Sequence, residues 1–330
     1  FMHILIVYKG IIPKYLYGGI ERVIWSLGKE LVKVGHKVTY LVKQGSHCDF
    51  TDVIFIDENK SIIKQIPNNI DIAHFNFEPD EIDQIKIPYI ITMHGNRNDL
   101  KKLDKNTVFV SNNQASRFSS DCFVYNGLDW EEYVKPDFNL KRGYFHFLGK
   151  AAWSVKNVKG AIDIIKKTPN ERLVVMGGKR FNFNMGLRFT FSPRVKFFGM
   201  VGGEEKYRLL NHSKGLIFPV RWHEPFGLAI IESLYFGCPV FATPYGSLQE
   251  LVKPEFGYLS NKSDELAKAF LNSGSYSERT CYEYARDEFN SKIMAVNYLQ
   301  KYEHVLSGKT LNQNNPQLKE IQTAKFLEWN

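Results

Sequence analysis

The chain is poor in cysteine: it has four, Cys48, Cys122, Cys238 and Cys281, with no C-x-x-C pair among them. That scatter argues against a disulfide framework and a zinc ribbon, and points to reduced thiols in a cytoplasmic protein. Long apolar runs are missing too. None approaches the ~20 residues that span a bilayer, and no secretory leader is read ahead of the first strand. The expected location is therefore cytoplasmic, with peripheral association at the inner face of a membrane. A net charge of +8 favours anionic ligands. Zinc spacings, RNP-like aromatic boxes and basic heptads are absent, so nucleic acid is not an expected partner. There is no G-x-G-x-x-G, hence no indicated dinucleotide site. No Asp-x-Asp stands where it would bridge a metal, and none is expected. Internal sequence repeats are absent.

What the chain does have is 330 residues, 44% of them hydrophobic, which is enough for two cores. An alternation of strand and helix patterns runs through it twice. In the first half, a β-branched run at 3–8 leads through a loop ending in Gly18-Gly19 to a helix over 20–34, with Ile20, Val23, Ile24, Leu27, Leu31 and Val34 on one face. Strands are expected near 38–42, 53–56, 70–75, 88–93 and 106–111. His94-Gly95 follows one of them directly, on the edge of a parallel sheet that carries ligands. The charged stretch Asp129 to Arg142 contains Pro136 and lacks a clean period, so it reads as an interdomain linker. In the second half, strands are expected at 144–149, 173–178, 195–199, 215–220 and 239–243. Helices fill much of the rest, including 264–272, 277–288 and 290–306, with a weak final helix at 317–329. The domains expected are 1–140, with about 291–330 packing back on it, and 141–290.

The most informative stretch is RWHEPFGLAIIESLYFGCP, Arg221 to Pro239. Glu224 precedes Pro225-Phe226-Gly227, and Glu232 lies eight positions further on. Proline and glycine ahead of an apolar run suit a loop that opens a helix, which places Glu224 on the loop and Glu232 on the helix. The N–H groups of Phe226, Gly227 and Leu228 would then form an anion seat. A carboxylate on each side of a phosphate seat suggests two hydroxyl-bearing groups flanking a phosphate, which describes a nucleotide sugar.

Several segments together resemble the retaining glycosyltransferases of family 4. They are Gly18-Gly19-Ile20-Glu21-Arg22, His94-Gly95, Tyr125-Asn126-Gly127-Leu128-Asp129, Phe147-Leu148-Gly149-Lys150, Val175-Met176-Gly177-Gly178 and the E-x7-E pair in HEPFGLAIIES. They occur in the family's order over nearly the whole chain. The resemblance implies an α/β fold of two Rossmann-like, doubly wound domains facing across a cleft, the GT-B fold. It implies transfer of a sugar from a nucleotide sugar, UDP-sugar favoured over GDP-sugar, to a glycan, lipid-linked or small-molecule acceptor.

By the same resemblance Glu232 would take the ribose hydroxyls and Glu224 the hydroxyls of the donor sugar. Lys150 and Lys156 would neutralise the diphosphate, with Lys159 the alternative to Lys156. His94 would line the reaction centre. Gly18, Gly19, Phe226, Gly227, Leu228, Gly199 and Thr243 complete the implied donor set. Acceptor choice falls to Lys9–Tyr17 and Phe75–Asp83, where Lys14, Tyr15, Tyr17, Phe75 and Phe77 could grip a sugar. The two glutamates are read as binders, and the leaving phosphate would take the acceptor's proton. A nucleotide-sugar epimerase and a non-catalytic nucleotide-sugar binding subunit remain alternatives; a phosphorylase would need a cofactor-lysine context that the sequence does not offer.

Overall fold

A computed structural model describes residues 1–13, 18–182, 188–189 and 191–330. Lys14, Tyr15 and Tyr17 lie outside the described residues. The chain divides into two compact units. One contains β1 (His3–Tyr8), Gly18–Asp129 and Phe289–Gln322; the other contains Trp130–Glu288 and Thr323–Asn330.

In the first unit, β1 is followed by α1 (Gly19–Lys33), β2 (Lys37–Val42), β3 (Asp52–Phe55), β4 (Ile72–Phe75), β5 (Tyr89–Met93), β6 (Thr107–Phe109) and α2 (Asn112–Arg117). The strands form one parallel sheet in the order β3-β2-β1-β4-β5-β6. Ile4 to Val7 are fully buried, as expected of a central strand covered on both faces, where alternation gives way to a continuous apolar run. The periodic apolar positions Val23, Ile24, Leu27 and Leu31 are the buried face of α1. Gly35, at φ 96°, ends that helix in the left-handed region.

The second unit repeats the plan. Its elements are β7 (Tyr144–Leu148), α3 (Val158–Lys166), β8 (Leu173–Met176), a short antiparallel pair β9 (Phe181–Asn182) and β10 (Arg188–Phe189), β11 (Val195–Phe197), α4 (Gly203–Asn211), β12 (Ser213–Phe218), α5 (Leu228–Tyr235), β13 (Val240–Ala242), α6 (Leu248–Leu251), β14 (Gly257–Leu259), α7 (Ser263–Leu271) and α8 (Glu278–Glu288). Its parallel sheet runs β11-β8-β7-β12-β13-β14. Numbered from each unit's own first sheet strand, both orders are 3-2-1-4-5-6. The chain then returns to the first unit as α9 (Ser291–Leu306). There Tyr302 and Tyr298 tie the helix to the sheet through His74 Nδ1 at 2.8 Å and Thr92 Oγ1 at 2.9 Å.

The stretch after Asp129 is anchored at its two ends, where Trp130 stacks on Tyr235 with ring centroids 4.2 Å apart and Arg142 donates to the carbonyls of Ser213 and Phe236, while most of 131–141 is exposed. Two features depart from the sequence reading. The final helix over 317–329 is absent. The amides of Gln317, Lys319 and Leu327 donate to Phe118, Arg117 and Arg221, distant partners that replace the i−4 carbonyls of a helix. Finally, β14, α2 and the β9–β10 pair went unread, each too short to carry a period.

Candidate functional site

In each sheet the chain reverses its direction of growth between the first and fourth strands, and ligands of such sheets bind beyond the carboxyl ends of the strands at that switch. In the second unit these strands are β7 and β12. Lys150 and Lys156 follow β7, and Glu224 follows β12. The topology thus brings together residues about 70 positions apart in sequence. Lys156 Nζ donates to Glu224 Oε2 at 2.7 Å, and Trp222 Nε1 donates to the same oxygen at 2.7 Å. Lys156 is 7% and Glu224 6% exposed, so the pair is held largely out of water.

Aromatic rings line this pair. The Lys156 ammonium sits 4.9 Å from the Trp222 ring centroid and 5.2 Å from that of Phe218, while Lys150 lies 5.1 Å over Trp153. Ring faces stabilise such cations once water is removed. An ammonium has three donors, and Lys156 gives one to Glu224, so the group can still donate to an anion. Lys159, by contrast, is exposed on α3. Trp153 and Trp222 carry no motif spacing, and the sequence reading assigned neither a role.

The Glu224 loop is shaped by two glycines in the left-handed region. A Cβ on Gly246 (φ 63°) would lie 2.3 Å from both the N and the O of Glu224. One on Gly227 (φ 87°) would lie 2.9 Å from Ile230 and 3.2 Å from Glu224 Cγ. Gly227 is the residue ahead of α5, and Leu228 is its first helical residue. Phe226 and Gly227 thus belong to the loop that opens the helix, as the sequence suggests, because a φ of 87° cannot continue it.

Glu232 lies on α5, 2% exposed. Its Oε1 accepts from Lys206 Nζ at 2.5 Å and Tyr133 Oη at 2.8 Å. Both partners escaped the sequence reading, Lys206 because a lysine in a charged helix looks solvated and Tyr133 because its segment looked like a linker. The helix itself is pinned by His146 of β7, whose ring nitrogens meet Ser213 Oγ at 2.6 Å and Ser233 Oγ at 2.8 Å. Burial lowers the His146 pKa to about 3, so the ring is neutral.

Gly199 and Thr243 are also expected at the donor side. Gly199 follows β11 at φ 71°, with open space where a Cβ would be. Its carbonyl accepts from Gly177, and its amide donates to Gly178. Thr243 is fully buried, and its hydroxyl is committed to the Val220 carbonyl at 2.6 Å.

In the first unit, Gly18 is the extended residue ahead of α1 and Gly19 the first residue of that helix. His94 follows β5, and its Nε2 lies 2.8 Å from Asn76 Oδ1. Asn76 Nδ2 donates to the Val7 carbonyl, which orients the amide and makes Oδ1 the acceptor for a protonated Nε2. Burial lowers the His94 pKa to about 4. His94, Asn76, Phe77 and Arg97 line a cavity of about 300 Å³. A larger cavity of about 580 Å³, lined by Lys9, Lys43, Phe77, Glu81 and neighbours, lies in the same unit. Phe77 thus faces open space with Lys9 4.5 Å over its ring. Phe75 does not: it is fully buried in β4, packed against Phe77 and Tyr89, and is core rather than a sugar contact. Among the described residues no helix is long and apolar enough to cross a membrane.

Residues 129–286 match the family of glycosyl transferases group 1. A sucrose synthase of Denitrovibrio acetiphilus is 41% identical over 70 residues, 20% of this chain and 9% of that protein. The curated relatives are matched over between 9% and 38% of their own length. Among solved structures, the glycosyltransferase AviGT4, involved in avilamycin A biosynthesis, superposes with a TM-score of 0.74 at 19% identity, covering 94% of this chain and 99% of that one. Anabaena HepE in complex with UDP-glucose superposes with a TM-score of 0.65 at 16% identity, covering 93% of this chain and 100% of that one.

Proposed function

From the premise that this chain carries a glycosyl transferases group 1 domain over residues 129–286 and has the two-domain α/β fold of GT-B glycosyltransferases, we propose that it transfers a sugar from a UDP-sugar to a hydroxylated acceptor with retention at the anomeric carbon. The observation that carries this reading is the enclosed Lys156–Glu224 pair at the switch point of the second sheet, with Lys150 over Trp153 on the loop that leaves β7. HepE is solved with UDP-glucose and with UDP, and a starch synthase IV of Arabidopsis thaliana with ADP, so uridine and adenine are the first bases to test.

The chemistry follows from charge. Cleaving the anomeric C–O bond builds positive charge on the sugar and negative charge on the departing diphosphate. Lys150 and Lys156 would meet that negative charge, and a preorganised donor in a dry site is worth a factor of about 10²–10³ in turnover. The lysines supply the countercharge a divalent cation would otherwise bring, so the reaction runs without a metal. Glu224 holds hydroxyls of the donor sugar while keeping Lys156 in place, and Glu232 meets the ribose. The acceptor hydroxyl attacks from the face the diphosphate leaves, and a phosphate oxygen takes its proton. His94, as the Nε2–H tautomer, offers Nδ1 to a hydroxyl. The acceptor is a glycan or a lipid-linked sugar gripped around Phe77 and Lys9, and a lipid-linked acceptor would bring the protein to the membrane surface.

The test is incubation with UDP-glucose, GDP-glucose and ADP-glucose, with and without chelator, following nucleotide release and the anomeric configuration of the sugar by NMR. Release of UDP with retained configuration, undiminished by chelator and lost in the Lys150→Ala/Lys156→Ala variant, is the expected result. Undiminished turnover in that variant would sink the assignment. Conversion of the nucleotide sugar to an epimer without nucleotide release would favour an epimerase instead.

A further inference from the structure

The chain's last residues had no assigned role in the sequence, yet Phe326, Leu327 and Trp329 are apolar residues in an otherwise polar tail. In the second unit this tail is bound to the two loops that shape the Glu224 site. Leu327 and Arg221 are joined reciprocally: the Leu327 amide donates to the Arg221 carbonyl at 2.9 Å, and Arg221 Nε donates to the Leu327 carbonyl at 2.8 Å. The Arg221 guanidinium also lies 5.1 Å over the Phe326 ring. Tyr245 Oη donates to the Glu328 carbonyl at 2.7 Å. The Asn330 amide donates to the Asn261 carbonyl at 2.9 Å, and the Ser263 amide to the Asn330 carbonyl at 2.6 Å.

Arg221 and Tyr245 belong to the two segments that hold Glu224. Arg221 opens the 221–224 segment that carries Trp222 and Glu224. Tyr245 adjoins Gly246, whose backbone lies against the Glu224 N and O, and Ser247, whose amide donates to the Glu224 carbonyl at 2.9 Å. The tail bonds both, through main-chain groups that require a defined backbone path. We propose that residues 323–330 form a latch that positions the Glu224 loop, so that the donor-sugar carboxylate and its Lys156 partner are presented in register only while the tail is seated. This rests on the reading of Glu224 as a donor ligand given above.

Three variants test it: a chain ending at Gln322, Leu327→Pro, which removes the amide that bonds Arg221, and Tyr245→Phe, which removes one latch bond with little change in shape. Hydrogen exchange of peptides covering 220–224 and 245–248 is read together with UDP-glucose affinity by calorimetry. The expected result is at least tenfold faster exchange in those peptides and at least fivefold weaker UDP-glucose binding in the truncated and Leu327→Pro chains. Tyr245→Phe should show the same changes in smaller measure, with its melting temperature held within about two degrees. Unchanged exchange at 220–224 in the truncated chain, or faster exchange with unchanged UDP-glucose affinity, overturns the proposal. If exchange quickens but the full chain binds no UDP-glucose, the latch on the loop stands and the donor reading falls.

Discussion

Lys156 and Glu224 meet at 2.7 Å between the loops that leave β7 and β12, each less than a tenth exposed. A pair this enclosed costs desolvation on both sides, and it does not by itself argue for stability. It does fix the position of both charges, which is what a site for a charged, hydroxylated ligand requires.

Removing one partner should leave the other charge buried and uncompensated. Lys156→Met is expected to destabilise the second unit by about 3–5 kcal/mol in urea unfolding. Adding Glu224→Leu to it should recover most of that loss. If single and double variants are equally unstable, the two charges are not coupled.

Glu232 makes a second prediction of a different kind. Its carboxylate accepts from Lys206 and Tyr133, and a hydrogen bond to a charged group is worth about 1.5–3 kcal/mol. Tyr133→Phe should therefore lower stability by an amount in that range while keeping the fold, since the ring still packs between Trp130 and Tyr207. Differential scanning calorimetry reads it directly.

The Glu224 loop depends on the absence of a side chain at position 246. Gly246→Ala would place a Cβ 2.3 Å from main-chain atoms of Glu224 at a φ of 63°. The loss should exceed the ~1 kcal/mol typical of a benign glycine replacement. UDP-glucose binding should weaken along with stability. Gly199→Ala makes a useful contrast: it shares the positive φ but has open space at Cβ, so only the backbone strain should register.

Three histidines set the acid limit. Burial lowers His74 and His146 to about 3 and His94 to about 4, against 6.5 for an exposed ring. Between those values the unfolded chain binds more protons than the native one, so stability rises with pH. The histidine contribution is complete above about pH 6.5 and is lost progressively as the pH falls toward 4 and below. Urea midpoints at pH 7 and pH 5 should differ in that direction, and His146→Gln should reduce the difference. A midpoint that rises on acidification would contradict the buried neutral rings.

The sequence by itself determined the alternation that builds two parallel sheets, because buried central strands must be continuous apolar runs and their covering helices must be periodic. It also marked out Glu224, Lys150, Lys156 and His94 as candidates on the loops that follow strands, and Glu232 within α5. What it could not show is which of these groups meet. Lys206 and Tyr133 reach Glu232, and Trp222 and Lys156 share one oxygen of Glu224, through contacts that only the strand order creates. The same holds for Phe75, which local pattern offered as a sugar contact and packing placed in the core. The tail is the clearest case. Its composition suits a weak helix, yet Leu327 and Asn330 give their amides to Arg221 and Asn261, and main-chain pairing over such distances leaves no local trace.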